Sequence, residues 1–134
     1  MIERIKVKTA KHTSVVNITQ RIREIVEASS IDNGLCIVYV PHTTAAVFIN
    51  EGADPDVVKD ILNTLDRLIP WTNGYSHMEG NAAAHIKSSI IGNSRIIPIL
   101  DGRLMLGKWE AVFLAEFDGP REREVVVSIV RSYN

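Results

Sequence analysis

The chain opens on an alternation. Ile5 and Val7 stand between charged Arg4, Lys6 and Lys8, and this period of two predicts a half-buried strand over Ile2 to Thr9. The period then changes, with Ile18, Ile22, Ile25 and Val26 recurring at helical intervals. Asn17 or Thr19 is available as a cap, and the Asp32-Asn33-Gly34 turn signal follows a helix end near Ser30. Two apolar, β-branched runs, Leu35 to Val40 and Ala45 to Ile49, read as buried strands separated by Pro41-His42-Thr43-Thr44. Asp54-Pro55 supplies an N-cap and a proline at the first helical position. Val57, Val58, Ile61, Leu62, Leu65 and Leu68 then hold one stripe as far as Pro70, the strongest helix signal in the chain. Trp71 to Gly80 has no sustained period and reads as a loop. A shorter helix is predicted from about Asn81, as its cap, to Ile91, with Gly92 as its stop. The last third reads as strands: Ile96 to Leu100, an Asp101-Gly102 hairpin turn, Leu104 to Leu106, Trp109 to Phe117, and Glu124 to Val130 after Asp118-Gly119-Pro120.

Strands at both ends with helices between them, and no regular βαβ alternation, predict an α+β fold with largely antiparallel sheets. No repeat, low-complexity tract or linker interrupts the chain, so residues 1–134 are read as a single domain. A length of 134 residues is enough for a hydrophobic core without disulfides or a structural metal.

Composition narrows the classes of function. The chain is 46% hydrophobic and 23% charged with a net charge of −1, lacking the basic excess of a nucleic-acid binder. No apolar run is long enough to cross a bilayer, and MIERIKVKT carries charges where a signal peptide needs an apolar segment. The expectation is a cytoplasmic protein with neither nucleic acid nor membrane as partner. Cys36, within LCIVYV, reads as a small buried hydrophobe.

Candidate chemistry gathers in three places. Pro41-His42-Thr43-Thr44 puts an imidazole and two hydroxyls at a strand junction, where they either hold an anion or satisfy the turn's own backbone. His77-Met78-Glu79-Gly80-Asn81-Ala82-Ala83-Ala84-His85 runs from a loop into a helix start. His85 then sits about one turn inside the helix, while His77 folds back over the same end. The two rings can converge, with His42 as third member of an open zinc-type site; ordinary hydrogen-bonded histidines are the other reading. Arg121 and Arg123 suit a phosphate if they share a face, or else belong to an edge-strand ion-pair ladder with Glu122 and Glu124 facing the other way. His12 reads as a surface residue, and Trp109 as core or interface.

These motifs, together with Asn50-Glu51, Leu104 to Trp109 and Glu116-Phe117-Asp118-Gly119-Pro120-Arg121, resemble the YjbQ-like family in order and spacing across nearly the whole chain. The resemblance implies an α+β fold with antiparallel β-sheets in a sandwich-like core with two to three helices, assembled as a homotrimer. It further implies a secondary thiamine-phosphate synthase activity, which joins hydroxymethylpyrimidine diphosphate to thiazole phosphate with loss of pyrophosphate. The other readings of the same residues are metal-assisted hydrolysis of a phosphorylated metabolite and a trimeric metal- or ligand-binding module without turnover. The roles expected are a divalent metal, zinc before magnesium, on His42, His77 and His85, and a small phosphorylated metabolite on Thr43, Thr44, Asn81 and Arg121. Glu51 and Glu79 are expected to orient other groups or move protons. Two departures stand out: Ala82-Ala83-Ala84 where the family carries an acid before the second His, and Gly107-Lys108-Trp109-Glu110 where it reads Gly-Thr-Trp-Gln.

Overall fold

A computed structural model describes residues 1–133. In chain order its elements are β1 (Ile2–Lys8), β2 (Ser14–Asn17), α1 (Thr19–Ala28), β3 (Gly34–Tyr39), β4 (Ala45–Glu51), α2 (Pro55–Leu68), α3 (Ala82–Ile91), β5 (Ser94–Leu100), β6 (Arg103–Leu104), β7 (Glu110–Glu116) and β8 (Glu122–Arg131). Every strand pairing is antiparallel. Five strands form one sheet in the order β1-β8-β3-β5-β6, and three form a second in the order β2-β7-β4.

The alternation read from β1 is kept, with Ile5 and Val7 buried and Arg4 and Lys6 outside. Between the sheets, Cys36, Val38, Ile97, Ile99, Val125, Val127 and Ile129 of the larger sheet meet Ala45, Val47, Val112 and Leu114 of the smaller. Ile22 and Val26 of α1 join the same core. Cys36 is wholly buried, and burial pushes its thiol up to about 11, as suits an inert packing residue. A second core lies on the other face of the small sheet, where Phe48, Phe113 and Phe117 pack against Val58, Ile61, Leu62 and Leu65 of α2 and Ala84 of α3. Two-sided burial of β7 is therefore completed within one chain, and its apolar faces leave nothing over for a partner.

Differences from the sequence reading are local. β2 is absent from it because Ser-Val-Val-Asn offers only a two-residue apolar signal. The Leu104 to Leu106 run shrinks to β6 (Arg103–Leu104), joined to β5 by Asp101 and Gly102, both at positive φ (52° and 78°) as a tight hairpin turn requires. β7 starts one residue after Trp109, which is exposed rather than core, with Lys108 Nζ 4.9 Å from its ring centroid. β8 is not an edge strand, since β1 and β3 flank it.

The α2 start follows its sequence. Asp54 Oδ1 accepts the Asp56 N–H at 2.9 Å, with Pro55 in the first turn. Replacing Asp54 with Ala is expected to cost about 1 kcal/mol in denaturant unfolding, with ligand binding unchanged.

Candidate functional site

The junction from β3 to β4 is shaped by a backbone requirement. Antiparallel pairing makes N–H groups on successive residues of β8 point to opposite sides. Ile129 donates to Met1 on the β1 side, so Val126 and Glu124 point toward β3. β3 ends at Tyr39, opposite Val126, which leaves the Glu124 N–H without a strand partner. His42 fills the gap: its Nε2 accepts that N–H at 2.9 Å. Partial burial, and then the positive charge of Arg123, hold the imidazole below its ordinary value, and the N–H donated to Nε2 also favours the neutral ring.

Beneath this junction lies a buried ion pair. Glu116 ends β7 fully buried, and Arg123, 4% exposed, enters from β8. Arg123 Nε donates to Glu116 Oε1 at 2.9 Å, its Nη2 donates to Oε2, and the same Nη2 donates to Thr44 Oγ1 at 2.8 Å. Thr9 Oγ1 and the Asp118 N–H also donate to the carboxylate, at 2.7 and 3.1 Å. Burial raises the Glu116 pKa, but these donors and the guanidinium charge outweigh it, and the net shift is downward. Arg123 is thus committed to the fold. Its Nε and Nη2 are taken up by Glu116 and Thr44, although its side chain borders the same cavity as Arg121, while Glu122 and Glu124 pair outside with Lys6 and Arg4 at 3.9 and 3.4 Å.

Arg121 precedes the strand and remains half-exposed. Its Nε donates to the Asp118 carbonyl at 2.8 Å and its Nη2 to Asp118 Oδ2 at 3.1 Å. The same Oδ2 accepts from Asn81 Nδ2 at 3.0 Å, and His12 Nε2 lies 3.8 Å from Oδ1. Burial raises the Asp118 carboxyl, yet the bonds from Asn81 and Arg121 and the charges of Arg121 and His12 carry it below its ordinary range. Asn81 occupies the N-cap position of α3 but does not cap it, because its amide is drawn to Asp118; its buried Oδ1 has no partner. His12 is half-exposed as expected, with Trp71 edge-on at 4.3 Å.

At the start of α3, His85 meets His77 from the preceding loop with ring centroids 5.1 Å apart, nearly perpendicular, and Glu79 Oε2 lies 3.9 Å from His77 Nε2. The departure at Ala82-Ala83-Ala84 has a packing reason. All three are buried at the inner face of the helix, where α3 lies on β4. In the other departure, Glu110 Oε1 accepts the Gly107 N–H at 2.7 Å, a local turn contact away from the site.

These segments enclose one open cavity of about 640 Å³. His42, Thr43, Thr44, His77, Glu79, Asn81, His85 and Arg121 all line it, Arg123 borders it too, and so do Tyr39 and Asn93, which the sequence does not single out. Glu51 does not. It sits at the end of β4, where its Oε2 accepts the Ala53 N–H at 2.8 Å, so position and bonding both remove it from the group. Two acids that organise the cavity were missed. Glu116 carries a usable signal, an acid inside the apolar run Ala111 to Phe117, since a buried carboxylate demands partners.

A three-imidazole metal centre does not fit this arrangement. The ring nitrogen of His42 that holds a free lone pair is spent on the Glu124 N–H. Among the described residues, no group of three or more His, Cys, Asp or Glu side chains is gathered closely enough to hold an ion. Nor is any helix of the described residues long and apolar enough to cross a membrane.

Fold and cavity define a small two-sheet α+β domain with a polar cleft where the β3–β4 junction, the start of α3 and the β7–β8 turn meet. Residues 3–132 match the profile of the family described as UPF0047 protein YjbQ-like, and the chain belongs to that family. UPF0047 protein MJ1081 of Methanocaldococcus jannaschii is 48% identical over 97% of this chain and 94% of its own. UPF0047 protein YugU of Bacillus subtilis is 41% identical over 97% and 99%. The crystal structure of a YjbQ/UPF0047 protein from Clostridium acetobutylicum superposes with a TM-score of 0.94 at 44% identity, covering 96% of this chain and 99% of that one. A Sulfolobus solfataricus protein described as of unknown function superposes at 0.95 with 36% identity, covering 98% and 97%.

Proposed function

We propose that the cleft binds a small phosphorylated metabolite and acts on it. The reaction to test first is the coupling of hydroxymethylpyrimidine diphosphate with thiazole phosphate that the family resemblance implies. One observation carries the reading: Arg121, Asn81, Thr43 and Thr44, all able to donate to phosphate oxygens, line one cavity although they come from separate segments. In the coupling, the thiazole nitrogen bonds to the pyrimidine methylene as the methylene–oxygen bond breaks, and pyrophosphate leaves with the bonding electrons. Fixed donors around the departing diphosphate stabilise its charge electrostatically, and Glu79 lines the same cavity. Purified protein given both substrates is expected to yield thiamine phosphate, with Arg121→Ala lowering the rate about tenfold or more. Absence of product would move the reading to another reaction of a phosphorylated ligand.

A second reading, favoured by the His77–His85 contact, adds a divalent ion, zinc before magnesium, between those two rings, with water or ligand oxygens completing its shell. Elemental analysis is expected to find metal that His77→Ala and His85→Ala lose and His42→Ala keeps. Metal lost equally in all three variants would restore the three-imidazole site.

The proposal includes a homotrimer, for a reason other than β7. The outer face of the five-stranded sheet is covered by no helix and exposes Leu35, Tyr39, Ile96, Leu100 and Val130. Light scattering is expected to return three times the 14.9 kDa chain mass, and a monomer at micromolar concentration would refute it.

A further inference from the structure

We infer that His42 serves the cleft as a fixed neutral hydrogen-bond donor, presenting Nδ1–H to an anionic oxygen of the ligand, and is not a metal ligand. The Glu124 N–H is left unpaired where β3 stops, and an unpaired backbone donor must find an acceptor. His42 Nε2 is that acceptor at 2.9 Å, so the lone pair lies on Nε2. In a neutral imidazole the proton must then sit on Nδ1. The two nitrogens of the ring are assigned by the strand register, before any ligand arrives.

Nδ1 has no hydrogen-bond partner among the described residues and is not among their sealed, unsatisfied atoms, while the ring itself lines the cavity. A donor left open in a pocket that also holds Arg121 and Asn81 is suited to an oxygen bearing negative charge. Coordination through Nδ1 would require the proton to move to Nε2. Two N–H groups, those of Glu124 and of the ring, would then face each other at 2.9 Å. Coordination through Nε2 would displace the strand's own bond. Either route breaks a contact that the fold provides, whereas donation from Nδ1 leaves every contact in place. His42 differs in this from His77 and His85, neither of which has a ring nitrogen bonded to backbone among the described residues.

The oxygen-acceptor part rests on the phosphorylated-ligand reading; the tautomer does not. Long-range ¹H–¹⁵N imidazole spectra of the full chain near neutral pH, with His42 assigned through His42→Gln, are expected to show Nδ1 protonated and Nε2 bare. A protonated Nε2 overturns the inference. Zinc is expected to shift His77 and His85 nitrogens only, and a zinc-induced coordination shift at His42 Nδ1 overturns it equally. With pyrophosphate as probe, His42→Asn, whose amide can stand where Nδ1 stood, is expected to bind within about threefold of the parent. His42→Gln, which can satisfy only Glu124, is expected to lose about tenfold. Equal binding by parent and His42→Gln would remove the donor role. If pyrophosphate does not bind the parent at all, the phosphorylated-ligand reading falls, and the spectra still decide the tautomer.

Discussion

Replacing Glu116 with Ala is expected to destabilise the protein by about 3–5 kcal/mol, the largest effect of any single change discussed. The reason is the asymmetry of buried ion pairs. With both partners present, desolvation of Glu116 and Arg123 is offset by their bidentate contact, by the bonds that Thr9 and Asp118 donate to the carboxylate, and by the bond that Arg123 donates to Thr44 Oγ1. Without the carboxylate, Arg123 stays inside as an uncompensated charge, and the Thr9 hydroxyl and Asp118 N–H lose their acceptor. Denaturant unfolding at neutral pH measures the loss. Acid supplies a second check. Glu116 has a folded value below its unfolded one, so its contribution is complete above the ordinary glutamate range and lost as pH falls through the lowered value. The gap between parent and variant is therefore expected to narrow on acidification. A gap that widened, or a loss under about 1 kcal/mol, would mean that the pair is not buried as described.

Gly119→Ala is the second large effect, and it acts on the cleft through the fold. A Cβ at Gly119 would lie 2.2 Å from the Lys11 carbonyl oxygen, 2.8 Å from Glu116 Cγ and 3.0 Å from Thr9 Oγ1. The first of these is backbone and cannot swing away. The turn from β7 to β8 must therefore move, and with it the bond from the Gly119 N–H to the His12 carbonyl at 3.0 Å. Thr9 Oγ1 also accepts the Arg121 N–H at 2.9 Å, so displacement there reaches the residue expected to grip the ligand. A stability loss of about 1–3 kcal/mol or more is expected, with pyrophosphate affinity falling alongside it. Undiminished affinity in a destabilised variant would show that the turn does not set the position of Arg121.

Much of this was legible from local pattern, because local forces decide it. α2 shows its Asp54 cap, its proline and its apolar stripe, and the structure uses all three. The loop-to-helix run from His77 to His85 brings two rings together within nine residues, the loop folding back over the start of α3. What stayed hidden depends on pairings across the chain. Thr9 and Arg121 are 112 positions apart, and no spacing rule joins them. Asn81 stands at the cap position, but its amide answers to Asp118, a residue 37 positions away. Arg123 looked like the twin of Arg121 because the two are adjacent in period. Only the central place of β8 separates one buried in an ion pair from one open to the cleft. His42 is placed in the cleft by its motif, but the Glu124 N–H that bonds its Nε2 becomes visible only once the end of β3 is known.

Calorimetric titration with pyrophosphate tests the central claim most directly, using the parent chain, Arg121→Ala at the cleft and Glu51→Gln outside it. The account predicts saturable binding by the parent, unchanged binding by Glu51→Gln, and affinity lowered about tenfold or more in Arg121→Ala. Absence of binding by the parent, or binding that Arg121→Ala leaves intact, would contradict it.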